Sequence, residues 1–409
     1  MRPPARALWG ASAAAALLLS VAPPAPAAPP RLPVADGEKG QALPAMPSTL
    51  DTKYGTASCV PASKERAKKQ DWSRQRLDLD KVRGEGTGTG VTVAVIDTGV
   101  AQDAAGLDGR VTASGAAGED CVGHGTFLAG LIAGDGGTST RLAGVAPGAD
   151  ILALRGTDKN GRADASLVTS SVRAAARARA GVIAIGVALP QRDKELSRAI
   201  ADARAGGAVV VAAATPDPPK TLGGDEVPAR RYWPAAEPGV LSVADMLPNG
   251  SRPKDALPTE GVDLAAPGVA VVSGGARGTG HYLGGGPSAA TAFTAGAAAV
   301  VRAARPDDSA AEVTRRLTAT AYPADTPQLD PYAALTTVLG DSGVSGSGGP
   351  QSASEPVTVR DTSDAERATG RATVLLLGGS AVVLLVGWLA FALPRARARG
   401  WRPAGQGPR

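Results

Sequence analysis

From about Asp78 to Leu339 the chain alternates short apolar runs with amphipathic stretches, a pattern that predicts βαβ units around a parallel sheet. Val91–Ile96, Ala149–Leu154, Gly181–Leu189 and Ala208–Ala214 are nearly unbroken apolar runs of strand length, as expected of strands covered on both faces. Leu167–Ala180, Lys194–Ala205 and Ser288–Ala304 repeat apolar residues at helical spacing, and the last is halted before Pro306. A further helix is predicted to start at His124, because Phe127, Leu128, Leu131 and Ile132 give it one apolar face. Residues 78–339, about 260 in number, suit one α/β domain.

The ends follow other rules. Residues 1–27 read as a signal peptide, with Arg2 and Arg6 ahead of an apolar stretch and Ala25-Pro26-Ala27 as a small-residue cleavage site. Residues 28–77 are rich in Pro, Ala and charge, with little periodicity, and are expected to form an extension laid on the domain. Gly340–Arg371 is a Gly/Ser-rich linker of tether composition. Thr373–Leu393 carries no charge, and at about 1.5 Å per residue it is long enough to cross about 30 Å of hydrocarbon, so residues 372–393 are predicted to be a transmembrane helix. The tail 394–409 holds five arginines and no acid, which places it in the cytoplasm and the rest of the chain outside.

Charge then narrows the partners. The chain has 43 basic and 38 acidic residues, but seven of the basic ones lie in the signal and the tail, leaving the exported part at −2. Such a balance argues against a nucleic-acid partner. Two cysteines, Cys59 and Cys121, fall in the exported part; one disulfide between them is the simpler expectation in an oxidising compartment, and two free thiols are the other. No metal site or cofactor is called for, since His124 and His281 are the only histidines and no cysteine pair has ligand spacing.

Chemistry concentrates in three segments. Asp97 ends the strand-like Val-Ala-Val-Ile-Asp, at the carboxyl edge where parallel sheets place ligands. His124 and Ser288 each open a predicted helix, and at a helix N-terminus a serine's own N–H can face a developing oxyanion. Serine needs a base to take its proton, and the base needs a carboxylate to fix its tautomer, so Asp97, His124 and Ser288 are the candidate catalytic set. His281, in Gly-Thr-Gly-His-Tyr, reads as a loop residue. A two-aspartate reading from Asp97-Thr98-Gly99 and Asp341-Ser342-Gly343 founders on the second copy, which lies in the tether.

The order Asp, His, Ser, together with Val93–Val100, Asp120–Gly134 and Gly286–Val301, resembles the subtilase family, and the layout of signal, extension, domain, span and basic tail resembles its mycosin branch. The resemblance implies a subtilisin-like fold, a parallel sheet flanked by helices. It also implies serine endopeptidase activity on polypeptide substrates and a place in the membrane complex of type VII secretion. The family places an Asn after the run matching Ala208–Ala214 to donate to the oxyanion; here Thr215-Pro216-Asp217 follows that run, and the Asn position falls on Pro216, which has no donor. Thr215 is the candidate substitute donor, and Gly186, on the strand that usually pairs with substrate, is a candidate substrate contact. Two functions fit this mixture: a peptidase slowed by the missing Asn, and a degenerate domain with a structural role in the secretion complex.

Overall fold

Every predicted strand lies where its two apolar faces find separate helical layers. The structure, a computed structural model, describes residues 43–50, 58–107, 109–136, 142–217 and 229–339, and in the C-terminal part residues 380, 384–388, 390, 392–395, 398 and 400. The chain divides into two units, Met1–Leu339 and Gly340–Arg409.

In the first unit the strands are β1 (Thr92–Asp97), β2 (Val111–Ala113), β3 (Asp150–Arg155), β4 (Val182–Ile185), β5 (Val209–Ala213), β6 (Leu241–Met246), β7 (Leu264–Pro267), β8 (Val271–Gly274) and β9 (His281–Gly284). The first seven form one sheet in the order β2-β3-β1-β4-β5-β6-β7, all pairs parallel, and β8 and β9 form an antiparallel hairpin. The helices are α1 (Trp72–Arg76), α2 (Leu79–Glu85), α3 (His124–Ala133), α4 (Ala165–Arg177), α5 (Lys194–Ala205), α6 (Pro287–Ala304), α7 (Ala310–Ala319) and α8 (Pro331–Thr336).

Strand alternation assigns the layers. Val93, Val95, Ala184, Val209 and Val211 pack with Phe127, Leu128, Phe293 and Val300 of α3 and α6, whereas Ala94, Ile96, Ile183, Ile185 and Val210 pack with Val168, Val172, Leu196 and Ile200 of α4 and α5. Because both faces are covered, the strands read as continuous apolar runs. The alanine-rich α6 is buried from Pro287 to Val301. A Cβ at Gly296 would lie 2.7 Å from Val145, so glycine there permits a close approach of backbone to side chain.

The run Gly181–Leu189 is a strand only to Ile185. Beyond it, Leu189 turns away to bridge Trp233 in the opposite sense. The helix expected at Leu167–Ala180 begins two residues earlier, at Ala165, because Asp164 caps it by accepting from the Leu167 N–H, and it ends at Arg177. Strand β6 is interrupted by Ser242 and Asp245, and β7 is only four residues long and ends at Pro267, so neither carries the long apolar run that marks the other inner strands.

The N-terminal extension is laid on the domain by specific bonds. The Met46 N–H donates to Leu283 O at 2.8 Å and the Leu283 N–H to Pro44 O at 2.9 Å. The Leu50 N–H reaches Asn160 O at 2.8 Å, and the Val60 N–H reaches Cys121 O at 2.9 Å. Cys59 and Cys121 are joined in a disulfide that closes 62 residues of chain. The extension and the domain meet without a break at α1, where the Trp72 indole donates to Val269 O at 2.7 Å.

The signal segment 1–27, the whole linker 340–371 and most of the span 372–393 and tail 394–409 lie outside the described residues, Asp341 among them. Among the described residues no helix is long and apolar enough to cross a membrane. Within the second unit, residues 384–388 are helical and exposed.

Candidate functional site

Parallel pairing puts the ends of β1, β4 and β5 along one edge of the sheet, and the N-termini of α3 and α6 meet that edge from the other side. Asp97 is the last residue of β1 and is buried, with its Oδ1 2.7 Å from His124 Nδ1. The same oxygen accepts from the Thr98 N–H at 2.8 Å, which fixes the carboxylate plane. On the other side of the ring, His124 Nε2 lies 3.2 Å from Ser288 Oγ. The three residues separated by 27 and 164 positions thus form one hydrogen-bonded line.

Buried side chains hold His124 in this line. Asp120 accepts from the Gly123 N–H at 2.7 Å, the Thr126 N–H at 2.9 Å and the Thr126 hydroxyl at 2.8 Å, and so ties down the first turn of α3. Burial pushes the Asp120 carboxyl above its ordinary range even against these bonds. Gly123 has φ +87° and Gly125 lies so close to Gly99 O that a Cβ there would overlap it, which is why the histidine is bracketed by glycines. Burial by itself would lower the His124 pKa; the Asp97 charge and the hydrogen bonds to Asp217 and Asp97 outweigh it, and the ring is held well above 6.5.

The residues proposed from sequence for the oxyanion divide. Thr215 is fully buried, and its hydroxyl makes no hydrogen bond to Ser288 or to any other described residue. The side chain that does is two residues on. Asp217 Oδ1 accepts from the Ser288 N–H at 3.1 Å, and Oδ2 accepts from the Ser288 hydroxyl at 2.7 Å and lies 3.1 Å from His124 Nε2. Pro216 carries the backbone over the edge and Asp217, not Thr215, drops its side chain beside the serine; counting positions against a motif could not show this. Gly286, with φ +111°, makes room, since a Cβ there would collide with the Asp217 carboxylate. A Cβ at Gly186 would collide with Asp97 Oδ2 and lie 2.7 Å from Leu128 Cδ1, and Gly186 also lines the cleft.

That cleft, of about 150 Å³, is walled by Asp97, His124, Gly186–Ala188, Thr157, residues 161–163, Pro216 and Asp217, and by Ser48 and Thr49 of the extension. Most of the wall is backbone and short side chains, with Arg162 and His124 as its long polar groups. His281 stands elsewhere: it opens β9, its Nδ1 accepts from the Ala67 N–H at 3.0 Å, and burial with the nearby Arg74 and Arg66 charges holds its pKa below 6.5. Among the described residues no group of three His, Cys, Asp or Glu side chains is placed to hold a metal.

Comparison with known proteins accords with this geometry. A model of the subtilase family matches residues 88–352. Mycosin-3 of Mycobacterium tuberculosis is 30% identical over 387 residues, covering 78% of this chain and 81% of its own length. Subtilisin DY of Bacillus licheniformis is 32% identical over 254 residues, covering 60% of this chain and 89% of the subtilisin. Among solved structures, the MycP3 protease from the type VII (ESX-3) secretion system superposes with a TM-score of 0.57 at 30% identity, covering 68% of this chain and 92% of that one.

Proposed function

Because the chain belongs to the subtilase family of serine peptidases and has the mycosins among its homologues, we propose that it is an exported, membrane-anchored endopeptidase working through Ser288, His124 and Asp97. The observation that carries this reading is the unbroken line Asp97–His124–Ser288, with contacts of 2.7 and 3.2 Å. His124 Nε2 takes the Ser288 proton as Oγ attacks the scissile carbonyl, Asp97 holds the Nδ1 proton and stabilises the imidazolium, and the Ser288 N–H at the start of α6 donates to the oxyanion. His124 then returns the proton to the leaving amine, and water repeats the cycle on the acyl-enzyme. Mycosins named for type VII secretion supply the setting: a place beside a secretion complex in the membrane, with polypeptide substrates. Anchoring through 372–393 is supported by the apolar composition of that segment and by the exposure of Leu384, Leu385, Val386 and Trp388.

The test is covalent. A fluorophosphonate probe labels the purified full chain, and Ser288→Ala abolishes the label. Absence of label at high probe concentration, over the whole pH range in which the chain stays folded, from the native protein and from Asp217→Asn alike removes the peptidase reading. Asp217 on the serine favours a second reading, a domain that docks in the secretion complex without hydrolysis. In that case Ser288→Ala leaves secretion normal while loss of the whole chain stops it.

A further inference from the structure

Asp217 engages both groups of Ser288 that acyl transfer uses. Its Oδ1 takes the Ser288 N–H, the donor expected to hold the oxyanion, and its Oδ2 takes the hydroxyl at 2.7 Å, closer than the 3.2 Å from that hydroxyl to His124 Nε2. The Asp217 side chain is only 10% exposed and Ser288 is fully buried, so little water competes for these bonds. An ionised carboxylate can only accept. Standing where the substrate's oxyanion forms, it fills the site and repels the charge that the site exists to stabilise.

The neighbours of Asp217 sharpen the point. From α3 comes His124, 3.1 Å away, and behind it Asp97 at the end of β1; from β6 comes Asp245, whose carboxyl is pushed up to about 6 by burial first and in part by the Asp217 charge. The charged imidazolium is favoured by both Asp97 and Asp217, and an imidazolium is no base. The imidazolium–carboxylate pair and the pair of neutral imidazole with neutral acid hold the same proton. They differ by one transfer from Nε2 to Oδ2. In the second pair the ring can accept the serine proton, and the Asp217 O–H can donate to the oxyanion.

We propose that Asp217 is a built-in brake on this active site: as a carboxylate it caps the oxyanion position, and only as the neutral acid, holding the proton of His124, does it become the side-chain donor that the family's Asn would have been. In the productive state the Ser288 Oγ lone pair forms the new bond to the carbonyl carbon, the hydroxyl proton passes to Nε2, and the carbonyl π pair moves to oxygen. That oxygen is met by the Ser288 N–H and the Asp217 O–H. The proposal rests on the serine-peptidase reading above.

The test measures the second-order rate of fluorophosphonate labelling of the full chain from pH 5 to 10, for the native protein, Asp217→Asn and Asp217→Ala. Asparagine keeps the shape, donates without a proton hop and adds no charge. Expected are labelling at pH 7 about 10²-fold faster than native, by the size of a side-chain oxyanion donor in subtilisins, and a downward move of the acid-limb midpoint as the imidazolium loses one of its two carboxylates. Asp217→Ala moves the midpoint in the same direction without the full gain in rate, and it serves if the Asn variant fails a thermal-melting check. Native labelling with neither variant faster at pH 7 and with an unmoved midpoint overturns the brake and leaves the peptidase standing. A folded native chain and folded variants that all fail to label remove the peptidase reading, and the brake with it.

Discussion

At the scale of single residues, charge burial at the sheet's carboxyl edge sets the chemistry. Asp97, Asp120 and Asp245 are each no more than 2% exposed, and each meets that burial differently. Asp97 is bound by His124 and Thr98, and Asp120 by Gly123 and Thr126. Asp245 has Arg252 at 3.7 Å and its own backbone N–H, and its Oδ1 makes no hydrogen bond. Its carboxyl is therefore raised from 3.8 to about 6, burial being the main cause. The sign follows from linkage: a carboxyl whose pKa is higher folded than unfolded favours the protonated fold, so stability is lost as pH rises from about 4 through 6 and the full cost remains above. Asp245→Asn is expected to flatten that fall and to gain up to about 3 kcal/mol at neutral pH, less the lost attraction to Arg252. Denaturant melts of both proteins between pH 4 and 8 check it, and parallel curves would refute it.

At the scale of elements, the short α1 matters through one side chain. Arg74 is 1% exposed and donates to Leu142 O at 2.7 Å, Val272 O at 2.9 Å and Ala143 O at 3.0 Å, while pairing with Asp71 at 2.9 Å. Asp71 in turn caps α1 and accepts from the Val272 N–H at 2.8 Å. A buried guanidinium with this many partners joins the extension, the loop after α3 and β8. Arg74→Met leaves Asp71 buried without its cation and several carbonyls without donors. We expect a loss of about 3–5 kcal/mol in chemical denaturation; a loss under 1 kcal/mol would show that the junction carries little weight. Gly186→Ala belongs to the same scale, because the turn after β4 sits on Asp97 and Leu128 with no space for a methyl group. It should lower the labelling rate of Ser288 by displacing the Asp97 carboxylate from His124, with near-native rates as the contrary result.

At the scale of the whole molecule, the extension is stapled to Cys121, three residues before His124, and its Ser48 and Thr49 wall the cleft. The disulfide and the hydrogen bonds to β9 tie the extension to the segment that leads into α3 and to the hairpin. The second unit carries the apolar segment and the basic tail. If that segment anchors the protein, the full chain sediments with membranes while a chain ended after Leu339 is recovered in the soluble exported fraction. Equal distribution of the two would exclude an anchor there.

The sequence by itself determined the layer pattern, because parallel strands buried on both faces must read as apolar runs, and it marked Asp97, His124 and Ser288 through local signals at a strand end and two helix starts. It left β6 and β7 unread, since Ser242 and Asp245 of β6 are buried only once neighbouring strands arrive and β7 is a four-residue run ended by Pro267. It also placed the oxyanion question on Pro216 and Thr215. Which side chain enters that space depends on the path of the turn after β5, on the room left by Gly286 and on where α6 presents its first N–H. Those are relations between segments 71 positions apart, so only the tertiary structure could bring the Asp217 carboxylate onto the serine.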